Sequence, residues 1–254
     1  MQGLPTQVAF AIIIENLTKD YGDVRAVDGL SLSIPEAEVF GLLGPNGSGK
    51  TTTINCLTGL IKPAGGTLRI DGHDVQTESS EARAVMGLSP QETAIFPYLT
   101  GRENVELFGS LYSVPKKMLG AGADQMMEKV GLMDEAGRRV SKYSGGMKRR
   151  VSIAMALVQD PKIVLLDEPT VGMDPQSRRA IWDFIMELRD KGKTIVLTTH
   201  YMEEAEELCD RVGIIDHGKL IALGSPAELK SQYGARDLED VFIQLTGRRI
   251  REGA

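Results

Sequence analysis

Short apolar runs alternate with stretches of helical period along most of the chain, and that alternation predicts α/β architecture. The runs that read as strands are Ala11–Leu17, Val39–Leu43, Thr67–Ile70, Val85–Ser89, Ile163–Asp167, Thr194–Thr199, Val212–Asp216 and Leu220–Leu223. Asp216-His217-Gly218-Lys219 reads as a hairpin turn joining the last two, and His73 stands beside a similar Asp-Gly turn. Between Pro90 and about Gln159 the strands give way to helices. Thr100-Gly101-Arg102-Glu103 has capping-box spacing, and Pro115 can begin a second helix that stops near Gly131. A helical lobe from about Thr100 to about Gln159 is therefore expected as an insertion into the α/β core. Asp174-Pro175 opens a further helix to Gly192, with Ile181, Trp182, Ile185 and Leu188 as its apolar stripe.

One loop carries chemistry outright. Gly44-Pro45-Asn46-Gly47-Ser48-Gly49-Lys50-Thr51 fits the pattern GxxxxGK[ST], with Thr52 next, between a buried strand and a helix running to Leu60. Its glycines let backbone N–H groups turn onto phosphate oxygens, and the helix start adds donors and a positive dipole end. Lys50 can reach the β- and γ-phosphates, and the Thr51 hydroxyl can ligate Mg²⁺. A second element is Ile163-Val164-Leu165-Leu166-Asp167-Glu168-Pro169, a strand delivering two carboxylates at its C-terminal end. Asp167 suits Mg²⁺ and Glu168 suits a general base on water.

Bulk properties narrow the partners. With 29 basic and 35 acidic residues the chain carries a net charge of −6, which argues against coating nucleic acid. Lys148, Arg149 and Arg150 read as a solvated helix face. Cys56 and Cys209 lie far apart, without metal-type spacing, and read as buried reduced thiols. The apolar run Val8 to Ile14 is far shorter than the roughly 20 residues a spanning helix needs. A cytoplasmic chain reaching a membrane through a partner is the expectation.

Ser144-Gly145-Gly146, followed by a basic helix start and placed before Ile163–Glu168, resembles the signature motif of ABC-type ATPases. The resemblance extends from about Ile12 to about Leu229 and assigns further positions in order. Tyr21 falls at the adenine-stacking aromatic and Gln91 at the glutamine that contacts Mg²⁺ and water. Gly172-Met173-Asp174 matches the D-loop, and His200 the histidine near the γ-phosphate. Tyr143 and Met147 replace the usual Leu and Gln of the signature, but the Ser144 hydroxyl and the Gly145 and Gly146 amides remain. Tyr-Ser-Gly-Gly-Met-Lys-Arg-Arg and the tail Leu238–Gly247 are similar to drug-resistance and lipid exporters.

That likeness implies a P-loop NTPase fold: a mixed sheet, an antiparallel β subdomain and the inserted helical lobe. It places the ATP-binding domain at residues 11–230 and a helical tail at 231–254. It implies ATP and Mg²⁺, two copies facing head to tail as a homodimer, and a separate polytopic permease. Catalytic roles fall to Glu168, His200 and Gln91, and metal contacts to Thr51, Gln91 and Asp167. The alternative within the same fold is a soluble ATPase of translation or DNA repair. Those resemble two fused copies or carry long heptad insertions, and this sequence has neither. A GTP switch would need an Asn/Thr-Lys-x-Asp motif, of which Asn16–Asp20 is only a broken likeness on the wrong side of the phosphate loop. A purely regulatory binding protein would lack Glu168 or His200, and both are present.

Overall fold

The computed structural model describes residues 9–248; Val8 and tail residues 249–254 lie outside them. In chain order the strands are β1 (Phe10–Tyr21), β2 (Val24–Pro35), β3 (Val39–Leu43), β4 (Gly65–Ile70), β5 (His73–Asp74) and β6 (Met86–Ser89). They continue as β7 (Ile163–Asp167), β8 (Thr194–Thr199), β9 (Arg211–Asp216) and β10 (Lys219–Gly224). The helices are α1 (Lys50–Leu57), α2 (Ser79–Ala84), α3 (Gly101–Leu111), α4 (Lys116–Lys129) and α5 (Gly145–Leu157). After these come α6 (Pro175–Asp190), α7 (Met202–Leu208), α8 (Pro226–Tyr233) and α9 (Leu238–Thr246).

The strands form two sheets. One runs β10-β9-β3-β8-β7-β6, parallel except for β10, which pairs antiparallel with β9. The other is antiparallel in the order β2-β1-β4-β5. This is the α/β P-loop NTPase architecture expected from the sequence, with mixed sheet, antiparallel sheet and helices.

Burial on both faces explains why the parallel strands read as unbroken apolar runs. β3 sends Phe40 and Leu42 into one core, among Ile12 and Ile14 of β1 and Ile54 and Leu57 of α1. Val39 and Leu43 point the other way, into a core with Val151 of α5 and Ile185 of α6. Alternation continues in β7, where Ile163 and Leu165 join the first core and Val164 and Leu166 the second.

Besides α2, β5, α7 and α8, which have no counterpart in the sequence expectation, three further elements depart from it. β2 was not anticipated, because Asp28-Gly29 interrupts its alternation like a turn. Instead the pair forms a bulge: Leu17 faces Leu30 and Lys19 faces Val27, with Gly29 at φ 68° supplying the left-handed backbone. β1 runs on past Leu17 to Tyr21 through a kink at Asn16, whose N–H donates to Ser31 Oγ at 2.8 Å. The helix after the phosphate loop stops at Leu57, not Leu60, capped through the Thr58 N–H.

Elsewhere the punctuation was readable. Thr100 and Glu103 form the capping box of α3, and Asp174 with Pro175 opens α6. A second box, Ser225 with Glu228, starts α8 and was not anticipated from the sequence. In the tail, α9 packs Leu238, Val241 and Phe242 into the core shared with α6 and α7. Phe242 is fully enclosed. Phe242→Ala should lower unfolding free energy by about 3–5 kcal/mol in a urea titration, reflecting lost burial plus a cavity.

Candidate active site

Parallel register lines up four strand ends. Leu43 pairs with Thr199, Asp167 with Thr198, and Ser89 with Leu166. The segments leaving β3, β8, β7 and β6 therefore start side by side, at the edge where open α/β sheets place their ligands. They carry Gly44–Thr51, His200, Glu168 and Gln91 respectively.

The phosphate loop turns directly into α1, with Gly49 as N-cap at φ 105°. A Cβ there would lie 2.5 Å from the Ala26 carbonyl, so both backbone angle and space exclude a side chain. Behind the loop, the Gly218 N–H of the β9–β10 turn donates to Ser48 O at 3.0 Å. The Ser48 hydroxyl is buried without a hydrogen-bond partner. Lys50 Nζ, almost fully buried, donates to Gly44 O at 2.8 Å and Pro45 O at 3.0 Å. Burial draws its pKa down, against the opposing pull of Glu168 and Asp167.

Glu168 is the focus of the cluster. Its Oε1 lies 3.7 Å from Lys50 Nζ and 3.2 Å from His200 Nδ1, and its Oε2 accepts from Gln91 Nε2 at 3.2 Å. Burial alone would push this carboxyl up, but the His200 hydrogen bond and the Lys50 charge outweigh it and hold the pKa below the ordinary value. The residue sits at φ 51°, a left-handed conformation uncommon outside glycine. Its N–H is anchored to Thr198 O at 3.1 Å and Thr198 Oγ1 at 2.9 Å. This bend swings the carboxylate out of the strand line toward the phosphate loop. Asp167, one residue earlier, accepts from Thr198 Oγ1 and, at 3.2 Å, from Thr51 Oγ1.

Other sequence-predicted residues lie apart from this cluster. Among the described residues, no hydrogen bond or ion pair ties Ser144, Gly145 or Gly146 to the phosphate loop. They form the N-terminus of α5, with Ser144 and Gly145 exposed and Gly146 half-buried, and Ser144 Oγ accepts from the Met147 N–H at 3.2 Å. Asp174 is engaged as the cap of α6, with its carboxylate on Ser177 N at 2.9 Å and Ser177 Oγ at 2.7 Å. Tyr21 ends β1 with its ring half exposed and Lys19 Nζ 5.1 Å from the centroid. Tyr143 is buried, its hydroxyl donating to Glu135 O. The Met147 sulfur receives Arg138 Nη2 at 3.7 Å.

The basic run beginning at Lys148 is not a solvated face. Arg149 is 4% exposed, and its guanidinium donates to the carbonyls of Pro90, Gln91, Asp167 and Pro169. Arg150 donates to Val130 O at 3.0 Å and Gly131 O at 3.2 Å, closing the end of α4. Charge density alone misled the sequence reading, because helical position decides whether a cation faces water or carbonyls. Thr198 was also missed; a hydroxyl ending an otherwise apolar strand was the available signal. Both cysteines are free and buried, and burial pushes the Cys56 thiol to about 11.

Comparison with known proteins agrees with the geometry. The family model for ABC transporters matches residues 27–171. The linearmycin resistance ATP-binding protein LnrL of Bacillus subtilis (strain 168) is 43% identical, over 94% of this chain and 75% of its own length. The daunorubicin/doxorubicin resistance ATP-binding protein DrrA of Streptomyces peucetius is 44% identical, over 92% and 71% respectively. The Nod factor export ATP-binding protein I of Paraburkholderia xenovorans (strain LB400) is 44% identical, over 91% and 76%. Among solved structures, an ATP-binding subunit of an ABC transporter superposes with a TM-score of 0.85 at 26% identity, covering 93% of this chain and 99% of its own. CbiO1 from Clostridium perfringens, part of the ABC transporter complex cbiONQ, gives 0.77 at 27% identity, covering 88% and 91%. The chain belongs to the ABC transporter family, as its ATP-binding, ATP-hydrolysing component.

Gly49→Ala tests the fit of the loop. Strain at a left-handed, closed position costs about 1–3 kcal/mol, so ATP affinity should fall by about tenfold or more in a fluorescence titration with a labelled ATP analogue.

Proposed function

We propose that this chain hydrolyses Mg–ATP at the interface of two copies placed head to tail, and that the resulting closure drives export through a separate membrane-spanning permease. The observation that carries this reading is the convergence of Lys50, Gln91 and His200 on Glu168 beside the phosphate loop. Support for export comes from relatives named for drug resistance and Nod factor export. No helix among the described residues is long and apolar enough to cross a membrane, in keeping with a permease on another chain and a place at the cytoplasmic face.

The residues present fit the ligands. Gly44 to Thr52 supply backbone and hydroxyl donors for phosphate, and the partnerless Ser48 hydroxyl is one of them. Thr51 and Asp167 offer a pair of hard oxygens 3.2 Å apart, of the kind Mg²⁺ takes with water and phosphate, and Gln91 stands on the adjacent Glu168. The ion supplies neutralisation of charge on the phosphates. Tyr21 offers its exposed ring to adenine.

Lys50 rests on the loop's own carbonyls and on Glu168, so a phosphate competes for a cation already in place. Release of Lys50 frees Glu168 Oε1 to accept a proton from water, while His200 and Gln91 keep the carboxylate aimed. Holding its pKa low keeps Glu168 ionised and ready at neutral pH.

Enclosure needs the second copy. Ser144 and Gly145 present a helix start to the surface, their own-chain hydrogen bonds being confined to the first turn of α5. Set over the triphosphate of a neighbour, that corner adds donors and excludes water. Asp174 is exposed as well, at the start of α6.

Glu168→Gln should cut ATP hydrolysis on the order of a hundredfold or more while trapping a dimer in Mg–ATP, read by light scattering behind size exclusion. Hydrolysis at the parental rate would remove Glu168 from its role. Ser144→Arg should abolish turnover yet leave ATP binding to dilute monomer intact. Equal loss of both would count against the head-to-tail arrangement.

A further inference from the structure

Arg149 belongs to α5, the helix whose N-terminal corner is Ser144-Gly145-Gly146, and lies within two helical turns of that corner. Its guanidinium reaches out of the helical lobe into the β core. Nε donates to Pro169 O at 3.2 Å, and Nη1 donates to Gln91 O at 3.2 Å and to Pro90 O. Nη2 donates to Asp167 O. No carboxylate lies within ion-pair distance of this group among the described residues; Asp167, Glu168 and Glu204 balance its charge from further away. Burial lowers its pKa to about 10, so it stays charged at neutral pH.

What those four carbonyls have in common is their position. Asp167 O and Pro169 O lie on either side of Glu168, the residue held at φ 51°. The carbonyls of Pro90 and Gln91 fix the loop whose glutamine touches Glu168 Oε2. A planar fork with five N–H donors can hold several peptide planes in a fixed relation, which an ammonium cannot. Any rotation of α5 must either drag these planes along or break buried charge-assisted hydrogen bonds. Breaking them is costly, because the carbonyls and the cation would be left unpaired.

We propose that Arg149 is a positioning residue that carries the state of the serine–glycine corner on its own helix to Gln91 and Glu168 of the same chain. In the head-to-tail dimer, on which this inference rests, each chain lends its corner to one nucleotide and its Glu168 to the other. Arg149 then makes closure over one triphosphate a condition for correct aim at the second, and the two sites fire together.

The test uses full-length Arg149→Gln and Arg149→Lys, with ATP hydrolysis followed across ATP concentration. A misaimed base costs about a hundredfold in kcat, while ATP affinity of dilute monomer stays within about twofold of the parent, because Arg149 does not touch the phosphate loop. The Hill coefficient for ATP should drop toward one in both variants, since neither amide nor ammonium can span four carbonyls. Thermal midpoints are read in parallel. If Arg149→Gln does not fold, Arg149→Lys, which leaves no uncompensated hole in the charge balance, decides the matter. A variant with a lowered midpoint but parental kcat and Hill coefficient would show Arg149 to be structural only and overturn the proposal. The Glu168→Gln protein separates the two ideas: its failure to pair in Mg–ATP defeats the dimer reading, whereas pairing alongside parental cooperativity in the Arg149 variants defeats the relay alone.

Discussion

A carboxylate buried at the end of an apolar sheet has to be held by other groups, and Glu168 sets what surrounds it. Removing one partner from such a buried pair typically costs 3–5 kcal/mol, because an uncompensated charge remains. Lys50, His200 and Gln91 each close on it from a different strand end. Each of these partners also faces the phosphate loop side of the sheet, so an anionic phosphate competes with Glu168 for the Lys50 cation. Glu204, just beyond His200, extends the pattern. It is buried, receives Thr170 Oγ1 at 2.7 Å and Trp182 Nε1 at 3.1 Å, and is pushed upward in pKa by desolvation.

The residues that were legible in the sequence are those whose roles are local. Gly44–Thr51 carries its turn, its donors and its cation within a few consecutive positions, and Thr100 with Glu103 announces a helix start three residues apart. β7 could be read because a strand covered on both faces must be apolar throughout. β2 could not, since its Asp28-Gly29 bulge copies the composition of a turn and only pairing with β1 tells them apart. Arg149 was illegible for a related reason. Its acceptors are backbone carbonyls, which leave no trace in side-chain chemistry, and they come from positions up to 59 residues away.

Asp174 shows the reverse case, a residue with a motif position and a local task at once. Its carboxylate caps α6 through Ser177, and that hydrogen bonding lowers its pKa. A capped carboxylate is a fixed acceptor with few rotamers left, so any contact it makes across an interface is made by a rigid group. Ser144 is built in the same way: its hydroxyl holds the start of α5 while the corner stays exposed. Capping thus gives both of these exposed residues a geometry that does not wait for a partner.

Rigid corners matter because the two halves of the chain differ in how they are tied together. The β core is joined strand to strand by continuous ladders, and Lys50, Gln91, Glu168 and His200 follow neighbouring strand ends. The helical lobe contributes α5 to that core through Val151, Ile153 and Leu157, and Arg149 adds a charged tie at the end nearest the corner. Apolar packing is non-directional and tolerates small rotations of a helix. A guanidinium fork on four carbonyls is directional and does not. Movement of the lobe is thus filtered: sliding of the apolar surface is absorbed, while displacement of the corner is passed to the backbone beside Gln91 and Glu168.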